Sequence, residues 1–227
     1  KGTRRYARAL PKLPEPGQVA LLRGLAGRGD DAARAAVLDA VKSEYAVVSL
    51  AAIEALGAVG HAEDVLMLTA LLSAETEDKA AAARDSLLRM DGAEAEAAMA
   101  DALAEAEPTA RGALLMLLAE RGAAQAVPLA VERTTDPDQQ VRLSALRVLE
   151  RLGAEDELDT VLGVVKTAEN DEVRAAAAKA LNALCARLHG VALSSVLAAM
   201  DDADAPVQVL MLRALGRVGT PKALDAV

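Results

Sequence analysis

The sequence has almost no aromatic residues. Phe and Trp are absent, and Tyr6 and Tyr45 are the only aromatic side chains. Buried volume must therefore come mainly from Ala, Leu, Val and Met, of which the small and unbranched residues favour closely packed helices. Strands would need the β-branched and aromatic residues that are scarce here, and no segment alternates apolar and polar residues for long. The composition therefore predicts an all-α fold.

Cysteine and histidine are also scarce, with one cysteine, Cys185, and two histidines, His61 and His189. A single cysteine forms no internal disulfide, which fits a reducing compartment such as the cytoplasm without excluding export. A metal site needs several converging ligands, and a nucleophile–base pair would need one of these histidines. Cys185 and His189 lie one helical turn apart but are more simply explained as a buried thiol and a loop histidine. We therefore predict no enzymatic activity, no metal site and no cofactor.

Long apolar runs and a positive net charge are missing too. No segment approaches the roughly 18 uninterrupted apolar residues of a membrane span, so no membrane insertion is predicted. The chain has 34 acidic and 25 basic residues and a net charge of −9. This balance argues against a protein that neutralises phosphates over a broad face, and two tyrosines leave few platforms on which bases could stack. We therefore expect no nucleic-acid partner.

The basic residues that are present are unevenly distributed. Residues 1–28 contain seven basic residues and one acidic residue, whereas the rest of the chain contains 18 basic and 33 acidic residues. Two interpretations stay open. Either the basic N-terminal segment is ordinary solvated surface, or it docks something acidic.

Glycines that would end a helix recur about every 31 residues, which is typical of a repeat protein. They are Gly29, Gly60, Gly92, Gly122, Gly153 and Gly219, with one stop missing near Cys185. The segments before the stops can be superposed, and each has an apolar stripe at helical spacing. Four of these segments begin at Val48, Val141, Val173 and Val207. A second amphipathic stretch follows each stop, which indicates two antiparallel helices per repeat.

One helix pair of this length cannot bury both of its faces, so neighbouring pairs must stack. We therefore predict an all-α, right-handed α-solenoid of about seven antiparallel helix pairs, forming one continuous array over residues 1–227. The predicted units are 17–43, 44–75, 76–106, 107–136, 137–170, 171–203 and a partial unit from 204, preceded by a helix near Thr3–Leu10. Because the apolar periodicity continues through Pro221–Val227 and the first residue is not Met, we expect a fragment of a longer protein.

Two segments carry a family resemblance. The sequence from Asp138 through Val141-Arg142 to Leu152-Gly153, and that from Asp171 through Val173-Arg174 to Leu181, resemble HEAT-like repeats of the short bacterial kind found in the phycobilisome-lyase family. The resemblance implies that the Val-Arg helix lines the concave face of the solenoid. It also implies that Arg142 and Arg174 join acidic residues of neighbouring turns in a ladder. Ser49 and the Asp78-Lys79-Ala80 segment depart from this pattern.

Equivalent positions of stacked first helices should lie side by side and form a ridge. One such row is Arg23, Glu54, Asp85, Met116, Arg147, Lys179 and Arg213. A second row, four residues later, contains Arg151 and Arg217. The C-terminal half of this ridge is wholly basic in a chain that is otherwise acidic. The candidate partner-binding residues are Glu54, Met116, Arg147, Arg151, Lys179, Arg213 and Arg217.

The leading hypothesis is a protein-interaction or scaffolding module that presents a concave groove to a protein or peptide, acidic if the basic ridge takes part. Two alternatives stay open. The resemblance implies an accessory subunit of a chromophore-lyase-like enzyme, and a plain repeat array would also serve as a structural spacer within a larger protein. The oligomeric state and the choice between the concave and convex faces stay open as well.

Overall fold

The computed structural model describes residues 2–74 and 76–218, and within them the chain is helical throughout, with short turns and no strand. This confirms the predicted all-α class. The chain divides into two compact units, Lys1–Ala123 and Ala124–Val227. Each unit is a stack of helices of the α-solenoid kind. The single continuous array and its right-handed sense stay predictions.

Unit 1 contains the leading helix and the first helix pairs. Its helices are α1 (Gly2–Ala9), α2 (Glu15–Ala26), α3 (Arg34–Val41), α4 (Ala46–Val59), α5 (Val65–Leu71), α6 (Glu77–Arg89), α7 (Ala93–Ala102) and α8 (Pro108–Arg121). The first helices α2, α4 and α6 pack side by side in chain order, and α3 packs against α4. The helices α3 to α8 fall inside the predicted repeat borders, whereas α2 begins at Glu15, two residues before the predicted unit 17–43.

Unit 2 continues the same alternation. Its helices are α9 (Ala126–Arg133), α10 (Gln139–Leu152), α11 (Leu158–Thr167), α12 (Asp171–Leu188), α13 (Ala192–Met200) and α14 (Ala205–Val218). Here α12 packs between α10 and α14, while α11 and α13 form a second layer. The predicted stop at Gly219 and the segment Pro221–Val227 lie outside the described residues.

The first helices bury the same positions in each repeat. Val48, Val141, Val173 and Val207 are all buried, and so are the residues eight positions further on, Leu56, Leu149, Leu181 and Leu215. Alanine fills many of the positions between them, and small side chains let neighbouring helices approach closely. Because the apolar stripe is fixed by these positions, the opposite stripe of each first helix is left to the surface.

The helix ends follow local sequence signals. Asp138 and Asn170 cap α10 and α12, since each side chain accepts hydrogen bonds from two backbone N–H groups of the first turn. Gly122 ends α8 in the left-handed conformation, with φ of 72°. The missing glycine stop has a structural consequence, because α12 runs on to Leu188 and ends at His189, which has φ of 49°.

A polar side chain at one repeated position ties every first helix except α6 to the segment that precedes it. The position is occupied by Gln18, Ser49, Arg111, Arg142, Arg174 and Gln208, and each of these donates to a main-chain carbonyl five to eight residues earlier. The carbonyls at helix ends have no partner within their own helix, so these donors satisfy them. The predicted pairing of Arg142 with acidic side chains of neighbouring turns is therefore wrong. Arg142 donates instead to the carbonyl oxygens of Asp136 and Pro137. Arg174 pairs with Asp171 of its own helix.

The segment Asp171–Met200 is long and apolar enough, by length and composition alone, to cross a membrane. In the structure it is two helices, α12 and α13, separated by a turn at His189–Val191. The buried side chains of α12 pack in the stack between α10 and α14. Of the most apolar 18-residue stretch of this segment, 22% is buried inside the structure.

Candidate partner-binding surface

The candidate ridge in unit 2 lies on α10, α12 and α14, the three helices that pack side by side. Arg147, Lys179 and Arg213 each lie six residues after the buried valine of their helix. Arg151 and Arg217 lie one turn further along α10 and α14. All five side chains are exposed, which agrees with the predicted register. Because their helices are adjacent, the five cations share one face of unit 2.

None of these five cations has an ion pair or a hydrogen bond within residues 2–74 and 76–218. Two other basic residues of unit 2, Arg187 and Lys166, are engaged. Arg187 donates to the carbonyl oxygens of Leu149, Glu150 and Gly153, at 2.8 to 3.3 Å, and so covers the C-terminal end of α10. Lys166 Nζ lies 2.6 Å from Asp202 Oδ1. The ridge therefore differs from its surroundings in having cations that the fold itself does not use.

The second layer of unit 2 has the opposite charge. Exposed carboxylates occur on α11 and in the segments that flank α11 and α13, namely Glu155, Asp156, Asp159, Glu169, Asp201 and Asp202. The one cation of this layer is Lys166, and its partner Asp202 has a lowered pKa because Lys166 donates a hydrogen bond to it and because the two charges attract. Unit 2 thus has its unpartnered ridge cations on the first layer, while the second layer is acidic; the first layer also has exposed carboxylates, Asp171 and Glu172, at the start of α12.

The ridge positions of unit 1 have a different chemistry. Glu54 is exposed on α4, and Met116 is half-buried on α8. Arg89 Nη2 donates to the carbonyl oxygen of Glu54 at 2.9 Å, and Glu120 Oε1 accepts from Arg84 at 2.6 Å. These side chains hold neighbouring helices together. Unit 1 therefore has residues of both charges and a methionine at the positions where unit 2 has only cations.

The candidate catalytic side chains are not brought together. Burial raises the pKa of the Cys185 thiol to about 11, so the nucleophilic thiolate is scarce at neutral pH. His189 is exposed at the end of α12 and has no hydrogen bond to Cys185. His61 Nε2 lies 3.0 Å from Asp31 Oδ1 on the surface of unit 1. Within the described residues, no group of three or more His, Cys, Asp or Glu side chains could hold a metal ion.

One ion pair that the sequence analysis did not find links two repeats of unit 1. Arg34 binds Asp64 through two nitrogens, at 2.8 and 2.7 Å, and also contacts Glu63 at 2.9 Å. Burial by itself would raise the pKa of Asp64, but the hydrogen bonds from Arg34 and from the His61 N–H outweigh it, so the pKa is lowered. The residues are about one repeat apart in sequence, and this spacing is the signal that could have revealed the pair.

Comparison with known proteins finds similarity to a repeat family over part of the chain. Residues 96–182 match the family model of HEAT repeats. No curated protein sequence matches the chain. The crystal structure of Kap121p superposes with a TM-score of 0.52 at 14% identity, over 94% of this chain and 31% of that one. At this identity the likeness concerns the fold alone.

Two further solved structures are similar over nearly their whole length. The archaeal HEAT-like repeats protein from Thermococcus onnurineus NA1 has a TM-score of 0.49 at 14% identity, covering 95% of this chain and 96% of that one. The complex of CpcE and CpcF of phycocyanin lyase from Nostoc sp. PCC7120 has a TM-score of 0.43 at 18% identity, covering 97% and 90%. Residues 96–182 are thus similar to HEAT repeats, and the stacked helix pairs give each described unit the α-solenoid fold.

Proposed function

We propose that the chain is a protein-binding scaffold whose second unit presents a basic ridge to an acidic protein segment. The ridge consists of Arg147, Arg151, Lys179, Arg213 and Arg217. The observation that carries the proposal is that these five exposed cations lie on adjacent helices and have no partner among the described residues. An interface can use such charges without first breaking contacts that hold the fold.

The chemistry of the ridge favours carboxylates as its targets. Four of the five residues are arginines, and a guanidinium binds a carboxylate through two parallel N–H···O bonds. Equivalent positions on stacked helices repeat at the interaxial distance of about 8–10 Å. An acidic helix or extended peptide that crosses α10, α12 and α14 could therefore meet one cation after another.

The charge separation within unit 2 supports the same proposal. A basic first layer and an acidic second layer give the unit a dipolar field, which orients a charged partner as it approaches. Such complementarity acts mainly on specificity and on the association rate. We therefore expect the partner's acidic segment to dock on the α10–α12–α14 face and to be repelled by the α11–α13 layer.

Affinity capture tests this function. The chain and its variant Arg147→Glu, Lys179→Glu, Arg213→Glu are used as bait in lysate of the source organism. A matched control, Arg23→Glu, Arg28→Glu, Lys79→Glu, changes the net charge by the same amount at exposed or half-buried sites in unit 1. Circular dichroism checks that all three proteins are equally helical.

The proposal predicts that the parent and the matched control capture the same protein and that the ridge variant loses it. A structural spacer would tolerate charge reversal along the ridge. Equal capture by all three proteins would therefore reject the ridge as the binding surface and favour the spacer.

A further inference from the structure

Unit 1 contains a cleft that the basic ridge does not use. It lies between α1 and α3 and the residues that follow α3, and it has a volume of about 830 Å³. The floor is apolar and built largely from small side chains, Ala7 and Leu10 of the α1 side and Ala36 and Ala40 of α3. Tyr45, one of the two aromatic residues of the chain, lies at its edge and is 47% exposed.

The wall of the cleft formed by α1 is cationic. Arg4 and Arg8 line it one helical turn apart, and Arg5 and Lys12 extend the basic surface beyond it. All four side chains are exposed, and none has an ion pair or a hydrogen bond within the described residues. The basic N-terminal segment that stood out in the sequence is thus assembled along one side of a groove.

The opposite wall has mixed charge. Asp39, Lys42 and Glu44 line it, and all three are exposed. A ligand in the cleft would therefore contact an apolar floor, two arginines on one wall, and both acidic and basic side chains on the opposite wall. This arrangement selects negative charge along one edge only, and apolar groups in the centre.

The shape of the cleft favours a peptide over a small molecule. Small-ligand sites bury most of the ligand surface, whereas the residues along this rim are exposed and the cleft is open on one side. The floor follows α3, whose eight residues span about 12 Å. An amphipathic helix can lay two turns of its apolar face into a groove of that length. The alanine floor lets such a helix approach closely.

We propose that the α1–α3 cleft is a second, independent docking site, for an amphipathic helix with an apolar face and acidic residues along one edge. The acidic edge meets Arg4 and Arg8, and the apolar face rests on Ala7, Ala36 and Ala40. This site differs from the ridge in its unit, in its apolar floor and in its aromatic edge.

Fluorescence anisotropy with a defined probe tests the site. The probe is a fluorescein-labelled synthetic peptide of about 16 residues, long enough to be partly helical in water, with Leu and Ala on one face and Glu along the edge. A second probe has Lys in place of each Glu. The titrations use the full chain and the variants Arg4→Glu, Arg8→Glu and Tyr45→Ser, with Arg23→Glu, Arg28→Glu as the matched charge control.

The acidic probe is expected to bind the parent chain and the matched control with equal affinity. Reversing both arginines should weaken binding roughly tenfold or more, since two attractive contacts become repulsive. Tyr45→Ser keeps the charge and should weaken binding severalfold through lost apolar contact. The ridge variant Arg147→Glu, Lys179→Glu, Arg213→Glu should bind the probe as the parent does. The test of the cleft is therefore independent of the test of the ridge.

The proposal is overturned if the parent fails to bind the acidic probe at millimolar concentration, or if the Lys probe binds equally well. Equal binding by the Arg4→Glu, Arg8→Glu variant would also overturn it. Analytical ultracentrifugation of the chain alone measures whether it self-associates. Self-association that the Arg4→Glu, Arg8→Glu variant abolishes would assign the cleft to a second copy of the chain instead.

Discussion

At the scale of single residues, the side chains divide into those that the fold uses and those that it leaves free. Arg187 and Arg34 are bound to carbonyls or carboxylates of a neighbouring repeat. Arg147 and Lys179 occupy the surface with no such partner in the described part of the chain. The same residue types thus have different roles because of where the repeat register places them.

The buried carboxylate of Asp64 makes stability depend on pH. Its folded pKa is lowered from the ordinary 3.8, so the unfolded state binds more protons and stability rises with pH through this window. The contribution is present above about pH 4 and is lost as the pH falls through the lowered folded value. We predict that Asp64→Asn lowers the free energy of unfolding by about 2 kcal/mol at neutral pH, because it leaves Arg34 without its buried partner.

Urea denaturation of parent and variant between pH 7 and pH 2 checks this prediction. The difference in the free energy of unfolding between parent and Asp64→Asn should become smaller as the pH falls below the ordinary pKa of aspartate. Glu63→Gln, which removes only the exposed arm of the same cluster, should change stability by less than about 0.5 kcal/mol. A gap that stays constant across the whole pH range would contradict the assigned role of Asp64.

At the scale of helices, close approach between repeats is set by small residues. Gly57 lies inside α4, where an added Cβ would meet the Arg89 side chain at 2.9 Å and the Ser86 backbone at 3.1 Å. Gly24 lies inside α2, where an added Cβ would meet nothing within 4 Å. The two glycines have the same helix propensity but opposite structural constraints.

We predict that Gly24→Ala raises the free energy of unfolding by about 0.5–1 kcal/mol, because alanine is the better helix former. Gly57→Ala should lower it by about 1 kcal/mol or more, since α4 and α6 would have to move apart. Thermal and urea unfolding of the two variants measure both effects. Stabilisation by both substitutions would show that the approach of α4 to α6 is looser than described.

The C-terminal end of α10 provides a second test at this scale. Arg187→Ala removes donors from three carbonyl groups, so we predict a loss of about 1 kcal/mol in the free energy of unfolding. Arg147→Ala removes a cation that has no hydrogen bond or ion pair in the described part of the chain, and it should stay within about 0.5 kcal/mol of the parent. Chemical denaturation of both single variants compares them directly. Equal losses would mean that the ridge cations also support the fold.

The repeat register could be predicted from the sequence, and the bonds between repeats could not. A fixed period places Val141, Val173 and Val207 in the core, and their burial fixes Arg147, Lys179 and Arg213 at the surface. The partners of Arg187 and Arg34 lie a whole repeat away, and their choice depends on side-chain rotamers that no periodic pattern contains. For the same reason the resemblance gave Arg142 an acidic partner where the structure has carbonyl oxygens.

At the scale of the whole molecule, the two compact units present different chemistry. Unit 1 has an apolar cleft with one cationic wall, and unit 2 has a face of free cations backed by an acidic layer. A stacked repeat fold supports both, because each repeat needs only its buried stripe and leaves the other positions free to vary. The binding role assigned to the ridge rests on that freedom.

Site-specific photocrosslinking tests the ridge most directly. A photoreactive amino acid replaces Ala183, which lies four residues after Lys179 on α12, or Ala198, which is exposed on α13 of the second layer. After irradiation in lysate, mass spectrometry identifies the crosslinked peptides. The account predicts that Ala183 crosslinks to a segment rich in Asp and Glu, that Ala198 does not, and that Arg147→Glu, Lys179→Glu, Arg213→Glu abolishes the product. Crosslinks from Ala198 alone, or from Ala183 to segments without acidic residues, would contradict it.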